Sequence, residues 1–295
     1  MPVVEPLGGA VPGGMKELSV AIADVAVAAK EWGEPSSPPL LALHGWLDNA
    51  ASFDVLAPIL ARTHHVVAPD LPGHGRSGHR PPGAWYHFVD YLEDIARLFA
   101  HFGWARADLL GHSLGGALAT LFAATYPERV RRLVLIEALG PLTTPEDELV
   151  GQLRHALDER LAASGPLRTF DNLESAVAMR VRANGLTAQA ARPLVERGVK
   201  RVVGGWQWSS DPRLMSPSAL RLTEAQVRSA LQAVRAPTLL VLADPPTRHL
   251  PRDEVEARAA EVPDLQIVRV PGHHHLHMEN ATKVAEPILA FLDAI

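Results

Sequence analysis

The segment Ala107-Asp-Leu-Leu-Gly-His-Ser-Leu-Gly-Gly116 gives the clearest indication of the fold of this 295-residue chain. Its apolar start is typical of a strand that is buried on both faces, and a helical pattern follows from Gly115 to Tyr126. The turn between them matches Gly-x-Ser-x-Gly, in which a sharp, strained backbone lifts a serine hydroxyl above a sheet. This context predicts that Ser113 is a nucleophile and that the amide of Leu114 helps to bind an oxyanion. The alternative is a glycine-rich turn without catalytic meaning.

Strand and helix patterns alternate on both sides of this turn. The buried-strand patterns are Pro39–Gly45, His65–Asp70, Ala107–His112, Val130–Glu137, Thr238–Asp244 and Leu265–Val270. The helical patterns are Phe53–Ala61, Val89–Phe102, Gly115–Tyr126 and Val284–Ile295. Two alternating runs, Leu18–Ala23 and Val25–Ala29, are typical of strands at the edge of a sheet. We therefore predict an α/β fold with a mostly parallel central sheet flanked by helices.

The alternation breaks between the fourth and fifth buried strands. Residues 141–235 contain amphipathic helical patterns, such as Glu148–Ala162 and Thr223–Val234, and no convincing strand. We predict that they form a helical lid inserted into a core of residues 1–140 and 236–295. Two tryptophans of the lid, Trp206 and Trp208, are candidates for an aromatic pocket wall, or alternatively for packing between lid and core.

The segment His44-Gly-Trp-Leu-Asp-Asn49 follows the first buried strand. An oxyanion hole needs a second backbone N–H that faces the amide of Leu114, and Trp46 is the candidate donor. We expect the Trp46 indole, Leu47 and His112 to line the substrate pocket. The alternative is a plain turn with a tryptophan in the core.

Four histidines near the end of the chain compete for the role of general base. They are His273, His274, His275 and His277. A serine hydrolase needs a neutral imidazole that takes the hydroxyl proton and later delivers it to the leaving group. A metal site and plain surface residues are the alternatives. No metal is predicted, because no carboxylate-rich segment accompanies the histidines in the sequence.

These motifs resemble the α/β-hydrolase superfamily from about residue 17 to the end of the chain. Within it, the chain looks closest to the serine hydrolase-like proteins, which pair such an elbow with a Pro-Gly-x-His-x-x-His-Met ending, here Pro271–Met278. The commoner superfamily ending, aligned on Glu279, also selects His274 as the catalytic histidine. The resemblance implies an α/β-hydrolase fold and hydrolysis of esters, or less often of amides or thioesters, through an acyl-enzyme. It implies no cofactor and names no substrate.

The third member of the triad, which orients the histidine and stabilises its cation, has two candidates. In most of the superfamily an aspartate follows the strand that starts here at Thr238, a few residues past a glycine. This chain has Ala243 in place of the glycine and Pro246 near the place of the acid, while Asp244 comes about two residues early. Glu137 ends the strand after the elbow helix, where haloalkane dehalogenases look similar, and a buried carboxylate there needs a partner. We predict Glu137, with Asp244 as the alternative.

Composition indicates what kinds of partner to expect. The formal net charge is −5 and there are no cysteines, so neither a nucleic-acid partner nor a disulfide framework is indicated. Without a secretory signal or an apolar run of about 18 residues, we expect a cytoplasmic protein that does not contact membranes. The prediction is an ester hydrolase for a small, partly apolar substrate. A carbon–carbon bond hydrolase or a cofactor-free perhydrolase would use the same residues, and a non-catalytic receptor-like or scaffold protein is the remaining alternative.

Overall fold

The residues described by this computed structural model, 14–162, 167–247 and 250–294, form ten strands and ten α-helices. The strands are β1 (Lys16–Ile22), β2 (Val25–Trp32), β3 (Pro39–Leu43), β4 (His65–Pro69), β5 (Ala107–His112), β6 (Val130–Ile136), β7 (Val199–Val202), β8 (Gly205–Trp208), β9 (Thr238–Asp244) and β10 (Leu265–Pro271). The helices are α1 (Ala57–Leu60), α2 (Asp90–Phe102), α3 (Leu114–Thr125), α4 (Leu149–Leu161), α5 (Leu173–Asn184), α6 (Ala188–Gly198), α7 (Glu224–Ala233), α8 (Arg252–Ala259), α9 (Leu276–Glu279) and α10 (Ala281–Leu292). Residues 1–13, 248–249 and 295 of the predicted core, and 163–166 of the predicted lid, lie outside the described residues.

Eight of these strands form one sheet in the order β1-β2-β4-β3-β5-β6-β9-β10. Strand β2 runs antiparallel to both β1 and β4, and the remaining pairs are parallel. The predicted mostly parallel sheet is confirmed. Because β3, β5, β6 and β9 are neighbours and point the same way, the segments that follow them leave the sheet at one edge.

Side chains of the central strands alternate between two apolar layers. Leu41 and Leu109 belong to the layer that includes helices α2 and α3, whereas Leu40 and Leu110 belong to the layer that includes α1 and α10. All four leucines are completely buried. Cover on both faces explains why these strands are continuous apolar runs in the sequence.

Helices α4 to α6 and the hairpin β7–β8 lie between β6 and β9 in the chain, and a small apolar cluster joins α5, α6 and the hairpin. The hairpin corrects the prediction of a lid without strands. Each of its strands has only four residues, too few for an alternating pattern to be recognised. Helix α7, which the predicted boundary at residue 235 assigns to the lid, packs on α3 and contributes Val227 and Leu231 to the main core. The packing therefore associates α7 with the sheet.

The predicted helix Phe53–Ala61 is another correction. A 3-10 turn ends at Phe53, and α1 begins only at Ala57. Pro58 has no N–H to donate to the carbonyl of Asp54, so one continuous helix loses a bond at this point. The other predicted helices form with their ends displaced by a few residues. Among the described residues, no helix combines the length and the apolar character that crossing a membrane requires.

Candidate active site

Ser113 lies at the turn between β5 and α3, at the carboxyl edge of the sheet. Its backbone has φ 50° and ψ −115°, a strained conformation for a residue with a side chain. The flanking glycines are needed for close packing. A Cβ on Gly111 would lie 2.3 Å from the carbonyl oxygen of Gly115, and a Cβ on Gly115 would lie 2.0 Å from that of Leu43. The Ser113 amide donates to the Ile136 carbonyl at 3.0 Å, which ties the turn to β6.

The elbow lies against the loop that follows β3. The approach of Gly115 to Leu43 and to the carbonyl of His44 leaves no space between the two segments. The amide of Leu114 opens α3, where N–H groups have no partner within the helix and the helix dipole favours negative charge. Trp46, from the loop, borders the same cleft as Leu114. The two segments predicted to supply the oxyanion amides therefore lie side by side at one cleft.

The buried side chain of His44 fixes the position of this loop. Its Nδ1 donates to the Gly45 carbonyl at 2.7 Å, and its Nε2 accepts from the Leu71 amide at 2.9 Å. One ring nitrogen donates and the other accepts, which is the arrangement of a neutral imidazole. Burial lowers the pKa of His44, in agreement with that state. His44 thus positions the loop rather than reacting.

His274 follows β10 and meets a carboxylate that follows β6. Its Nδ1 lies 3.4 Å from Oε2 of Glu137, which is 4% exposed. Oε1 of Glu137 accepts from the Ala243 amide at 2.7 Å, and Oε2 accepts from the Thr247 hydroxyl at 2.7 Å. These two bonds fix the carboxylate against Nδ1. A proton on Nδ1 leaves Nε2 of His274 as the nitrogen that can act as a base.

The protonation states of this pair suit proton transfer. Burial lowers the pKa of His274 below the ordinary value, although the bond to Glu137 opposes the shift, so the ring is neutral at pH 7. Burial alone would raise the pKa of Glu137, but hydrogen bonds from His274, Ala243 and Thr247 outweigh it, and the pKa is lowered. A neutral imidazole beside an ionised carboxylate is what a general base with an orienting acid requires.

Asp244, the alternative acid, ends β9 with an exposed side chain. Glu137 approaches His274 from the neighbouring strand, because β6 pairs with β9. Sequence reasoning missed Thr247, whose hydroxyl binds Glu137. The sequence feature that could have identified Thr247 is its position next to Pro246, near the place where the superfamily usually has its acid. The geometry thus favours Glu137 as the acid.

Two of the competing histidines bind other groups. His273 is partly exposed and forms a hydrogen bond with Glu279. His277 is completely buried, and its Nε2 lies 2.7 Å from the hydroxyl of Ser52. Both contacts hold the loop on either side of His274, so these rings serve packing.

A buried polar cluster lies behind the loop. The structure corrects the expectation that His112 lines the pocket: the ring is completely buried, and its Nε2 donates to the carbonyl of His274 at 2.8 Å. Asp48, which sequence reasoning missed as a site residue, lies 3.3 Å from Nε2 of His275 and binds Arg180 of α5. Asp48, His112 and His275 offer three potential metal ligands within 4.8 Å of one another. The sequence has no carboxylate-rich segment beside the histidines, but the fold brings the single carboxylate of Asp48 to His112 and His275.

A cleft of about 590 Å³, counting its open mouth, begins beside the elbow. Its lining includes Trp46, Leu114, Tyr86, Phe88 and Leu214. The Trp46 side chain is half exposed, and its indole Nε1 donates to the Leu214 carbonyl at 3.1 Å. This partly aromatic lining suits a substrate with an apolar portion.

The other residues expected in the pocket lie elsewhere. Trp206 and Trp208 pack in the apolar cluster of the lid, where the Trp208 ring meets that of Phe170 at 5.4 Å. The alternating hairpin strand directs both indoles into this cluster instead of toward the cleft. Leu47 has a positive φ of 59° and is absent from the cleft lining. Trp206 and Trp208 therefore follow the packing alternative, and a pocket role for Leu47 stays a prediction.

Comparison with known proteins agrees with this architecture. The family described as alpha/beta hydrolase fold matches residues 38–281. Serine hydrolase-like protein 2 of Homo sapiens is 33% identical over an alignment of 301 residues. The alignment covers 96% of this chain and 96% of that protein. The crystal structure of a hypothetical protein from Pseudomonas aeruginosa PAO1 is 38% identical, with a TM-score of 0.89 over 94% of this chain and 99% of that one.

A third similar structure is the thioesterase domain from the curacin biosynthetic pathway. It is 28% identical, with a TM-score of 0.83 over 94% of this chain and 99% of that domain. The matches therefore cover both the sheet and the inserted helices. This chain belongs to the alpha/beta hydrolase fold family, with serine hydrolase-like proteins among its relatives.

Proposed function

We propose that this chain is a serine hydrolase that cleaves a carboxylic ester, or a related acyl bond, through an acyl-enzyme on Ser113. One observation carries the proposal: the neutral ring of His274 contacts the buried, ionised Glu137 at the same sheet edge as the strained elbow serine. The names of the serine hydrolase-like relatives support this class of reaction. The thioesterase neighbour supports an acyl bond as the target.

The first half of the reaction forms the acyl-enzyme. Nε2 of His274 takes the hydroxyl proton of Ser113 while the oxygen attacks the acyl carbon. The amides of Trp46 and Leu114 donate to the resulting oxyanion, and Glu137 stabilises the imidazolium. The imidazolium then gives its proton to the leaving alkoxide, and the alcohol departs.

The second half regenerates the serine. Nε2 of His274 takes a proton from water, and the hydroxide attacks the acyl carbon bonded to Ser113. The same two amides stabilise the second oxyanion. When it collapses, the serine oxygen leaves and receives the proton from His274, and the carboxylic acid is released.

The cleft supports a small substrate that is partly apolar. Trp46, Tyr86 and Phe88 offer aromatic surface beside the oxyanion amide of Leu114. An acyl or alkyl chain packed there would lose contact with water, which contributes about 0.8 kcal/mol for each buried CH₂ group. The ratio kcat/KM should therefore increase with chain length until the cleft is filled.

A fluorophosphonate probe and p-nitrophenyl esters from acetate to octanoate test the proposal. We expect the wild-type protein to be labelled at Ser113 and to hydrolyse the esters. Ser113→Ala should abolish labelling, and His274→Ala should lower turnover by a factor on the order of 10⁴ or more. Ser229→Ala, which alters an exposed serine on α7, is the matched control and should behave as wild type.

The outcomes separate the remaining alternatives. Labelling without ester turnover would show that Ser113 is activated but that these esters are not substrates. The proposed reaction would then be hydrolysis of a carbon–carbon bond, or perhydrolysis with hydrogen peroxide. A folded wild-type protein that is neither labelled nor active would contradict the proposal. The receptor-like or scaffold alternative would then describe the chain better.

A further inference from the structure

The buried cluster behind the histidine loop carries a second inference. Asp48 is 2% exposed, His112 is completely buried and His275 is 3% exposed. One carboxylate oxygen and two ring nitrogens of these residues lie within 4.8 Å of one another. None of the three is needed as an acid, base or nucleophile in the proposed hydrolysis.

The hydrogen bonds of His112 define what its other nitrogen can do. Nε2 lies 2.8 Å from the carbonyl oxygen of His274, which only accepts, so the proton is on Nε2. A neutral ring then presents the lone pair of Nδ1 to Oδ2 of Asp48, 3.6 Å away. Neither of these two atoms forms a well-aligned hydrogen bond within the described part of the chain, although Nε2 of His275 lies 3.3 Å from Oδ2. Two acceptors that face each other away from water call for a positively charged group between them.

Two of the three spacings between the ligand atoms suit a metal ion. Oδ2 of Asp48 lies 3.3 Å from Nε2 of His275 and 3.6 Å from Nδ1 of His112. Tetrahedral zinc, with bonds of about 2.0–2.1 Å, sets its ligand atoms roughly 3.3 Å apart. Gly45 has no side chain, which leaves room for the ion. A Cβ at this position would lie 3.0 Å from both Oδ2 of Asp48 and Nδ1 of His112.

The surroundings of His112 and Asp48 resemble the outer shell of known metal sites. Histidine ligands commonly donate their second N–H to a backbone carbonyl, as His112 does to His274. Arg180 binds Oδ1 of Asp48, which fixes the carboxylate and leaves Oδ2 directed at the two rings. One carboxylate and two imidazoles form a donor set that favours zinc and its neighbours over magnesium or calcium.

We propose that Asp48, His112 and His275 bind one divalent transition metal ion of the zinc type behind the histidine loop. The ligand atoms are Oδ2 of Asp48, Nδ1 of His112 and Nε2 of His275, with water as the fourth ligand. His275 then carries its proton on Nδ1, and any proton displaced from Nε2 is released to solvent. His112 and His275 are chain neighbours of Ser113 and His274, but none of the three ligands reacts in the proposed hydrolysis, so metal binding can be tested independently of it.

Direct metal binding tests this site without any measurement of turnover. The purified protein is stripped with a chelator and dialysed, and Zn²⁺ binding is measured by equilibrium dialysis. Co²⁺ is added in a parallel sample as a spectroscopic probe. We expect one equivalent of Zn²⁺, the intense visible absorption of tetrahedral Co²⁺, and a melting temperature that rises with Zn²⁺.

The variants assign the site. Asp48→Asn and His275→Gln should each weaken Zn²⁺ binding by a factor of about 100 or more and remove the Zn²⁺-dependent rise in melting temperature. His273→Gln, the neighbouring and partly exposed histidine, is the matched control and should bind Zn²⁺ as the wild type does. Should Asp48→Asn fail to fold, His275→Gln and the wild-type stoichiometry still decide the matter.

Three results would overturn the inference. The first is less than half an equivalent of Zn²⁺ on the folded wild-type protein, which would mean that a proton, and not a metal, separates Asp48 from His112. The second is undiminished binding by folded His275→Gln. The third is an octahedral Co²⁺ spectrum that disappears in His273→Gln, which would place the ion on the surface.

Discussion

Backbone strain is concentrated at individual residues of the site. Four non-glycine residues in the described part of the chain have a positive φ: Ala23, Leu47, Ser113 and Glu137. The last three stand at the turns that follow β3, β5 and β6. Such conformations persist only when the surrounding structure fixes them. Ser113 is fixed by close glycine packing, and Glu137 by the bonds to its carboxylate and by its amide, which donates to Val241 at 3.0 Å.

The choice of acid can be tested with two isosteric variants. Glu137→Gln removes the charge that stabilises the His274 imidazolium, and we expect kcat to fall by a factor on the order of 10²–10⁴. Asp244→Asn should change kcat by less than about threefold, because that side chain is exposed and Glu137 already occupies the place beside the histidine. Steady-state hydrolysis of one p-nitrophenyl ester measures both. A larger loss in Asp244→Asn would reverse the assignment.

The pH dependence of hydrolysis follows from the lowered pKa of His274. The base works as the neutral ring, so kcat/KM should rise with pH through the pKa of His274 and level off above it. Burial lowers this pKa, so the midpoint should fall below the ordinary value of 6.5. Glu137→Gln removes a group that raises the pKa, and the midpoint of its residual activity should move further toward acid. A midpoint above 6.5 in the wild type would show that Glu137 outweighs burial.

Close packing at the elbow leads to a stability prediction. Gly115→Ala would bring a Cβ to 2.0 Å from the Leu43 carbonyl oxygen, so the turn or β3 must shift. We expect a loss of about 3 kcal/mol or more in the free energy of unfolding. Gly151→Ala is the control: it lies in the exposed helix α4 with open space around it, and alanine should stabilise that helix by up to about 1 kcal/mol. Urea unfolding that shows equal stability for both variants would contradict the packing argument.

At the scale of elements, one buried arginine joins the lid to the sheet. Arg197 of α6 is 3% exposed. Its Nε lies 2.8 Å from Asp70, which follows β4, and its Nη1 lies 2.7 Å from Glu17 of β1. Asp70 also accepts from the amide of Ala50 at 2.7 Å. The lid helix, two strands and the loop after β3 therefore meet in one ion-pair network.

Removal of this arginine should be costly. Arg197→Met leaves the carboxylate of Asp70 buried with only backbone donors. We therefore expect the free energy of unfolding to fall by about 3–5 kcal/mol. Arg192→Met, on the same helix, removes an exposed ion pair with Glu174 and should cost less than about 1 kcal/mol. Chemical unfolding followed by circular dichroism compares the two. Similar losses would mean that the network does not anchor the lid.

Sequence patterns predict some of these elements and not others. The elbow strand and helix could be predicted because β5 is a continuous apolar run and Gly111 and Gly115 have only one structural use there. The hairpin β7–β8 could not, because Trp206 and Trp208 suit both a pocket wall and a small core. The position of His112 was also beyond prediction, since its bond to the His274 carbonyl joins residues 162 positions apart.

For the whole molecule, sheet order explains how the site is assembled from distant segments. Alternation of strands and helices predicts a parallel sheet, but not that β3 lies between β4 and β5 or that β6 pairs with β9. Those neighbours bring Trp46 to Leu114 and Glu137 to His274. The sequence therefore indicated the residue types of the proposed triad, whereas the preference for Glu137 over Asp244 is supported by the paired strands.

The bond between the Trp46 indole and the Leu214 carbonyl has an optical consequence. The ring is half exposed and borders the cleft, so its fluorescence depends on what fills that space. An apolar ligand that displaces water from the ring shifts the emission to the blue, and withdrawal of the Leu214 segment shifts it to the red. Because the chain has six tryptophans, the difference between the spectra of the wild type and Trp46→Phe isolates this report on a filled or an open cleft.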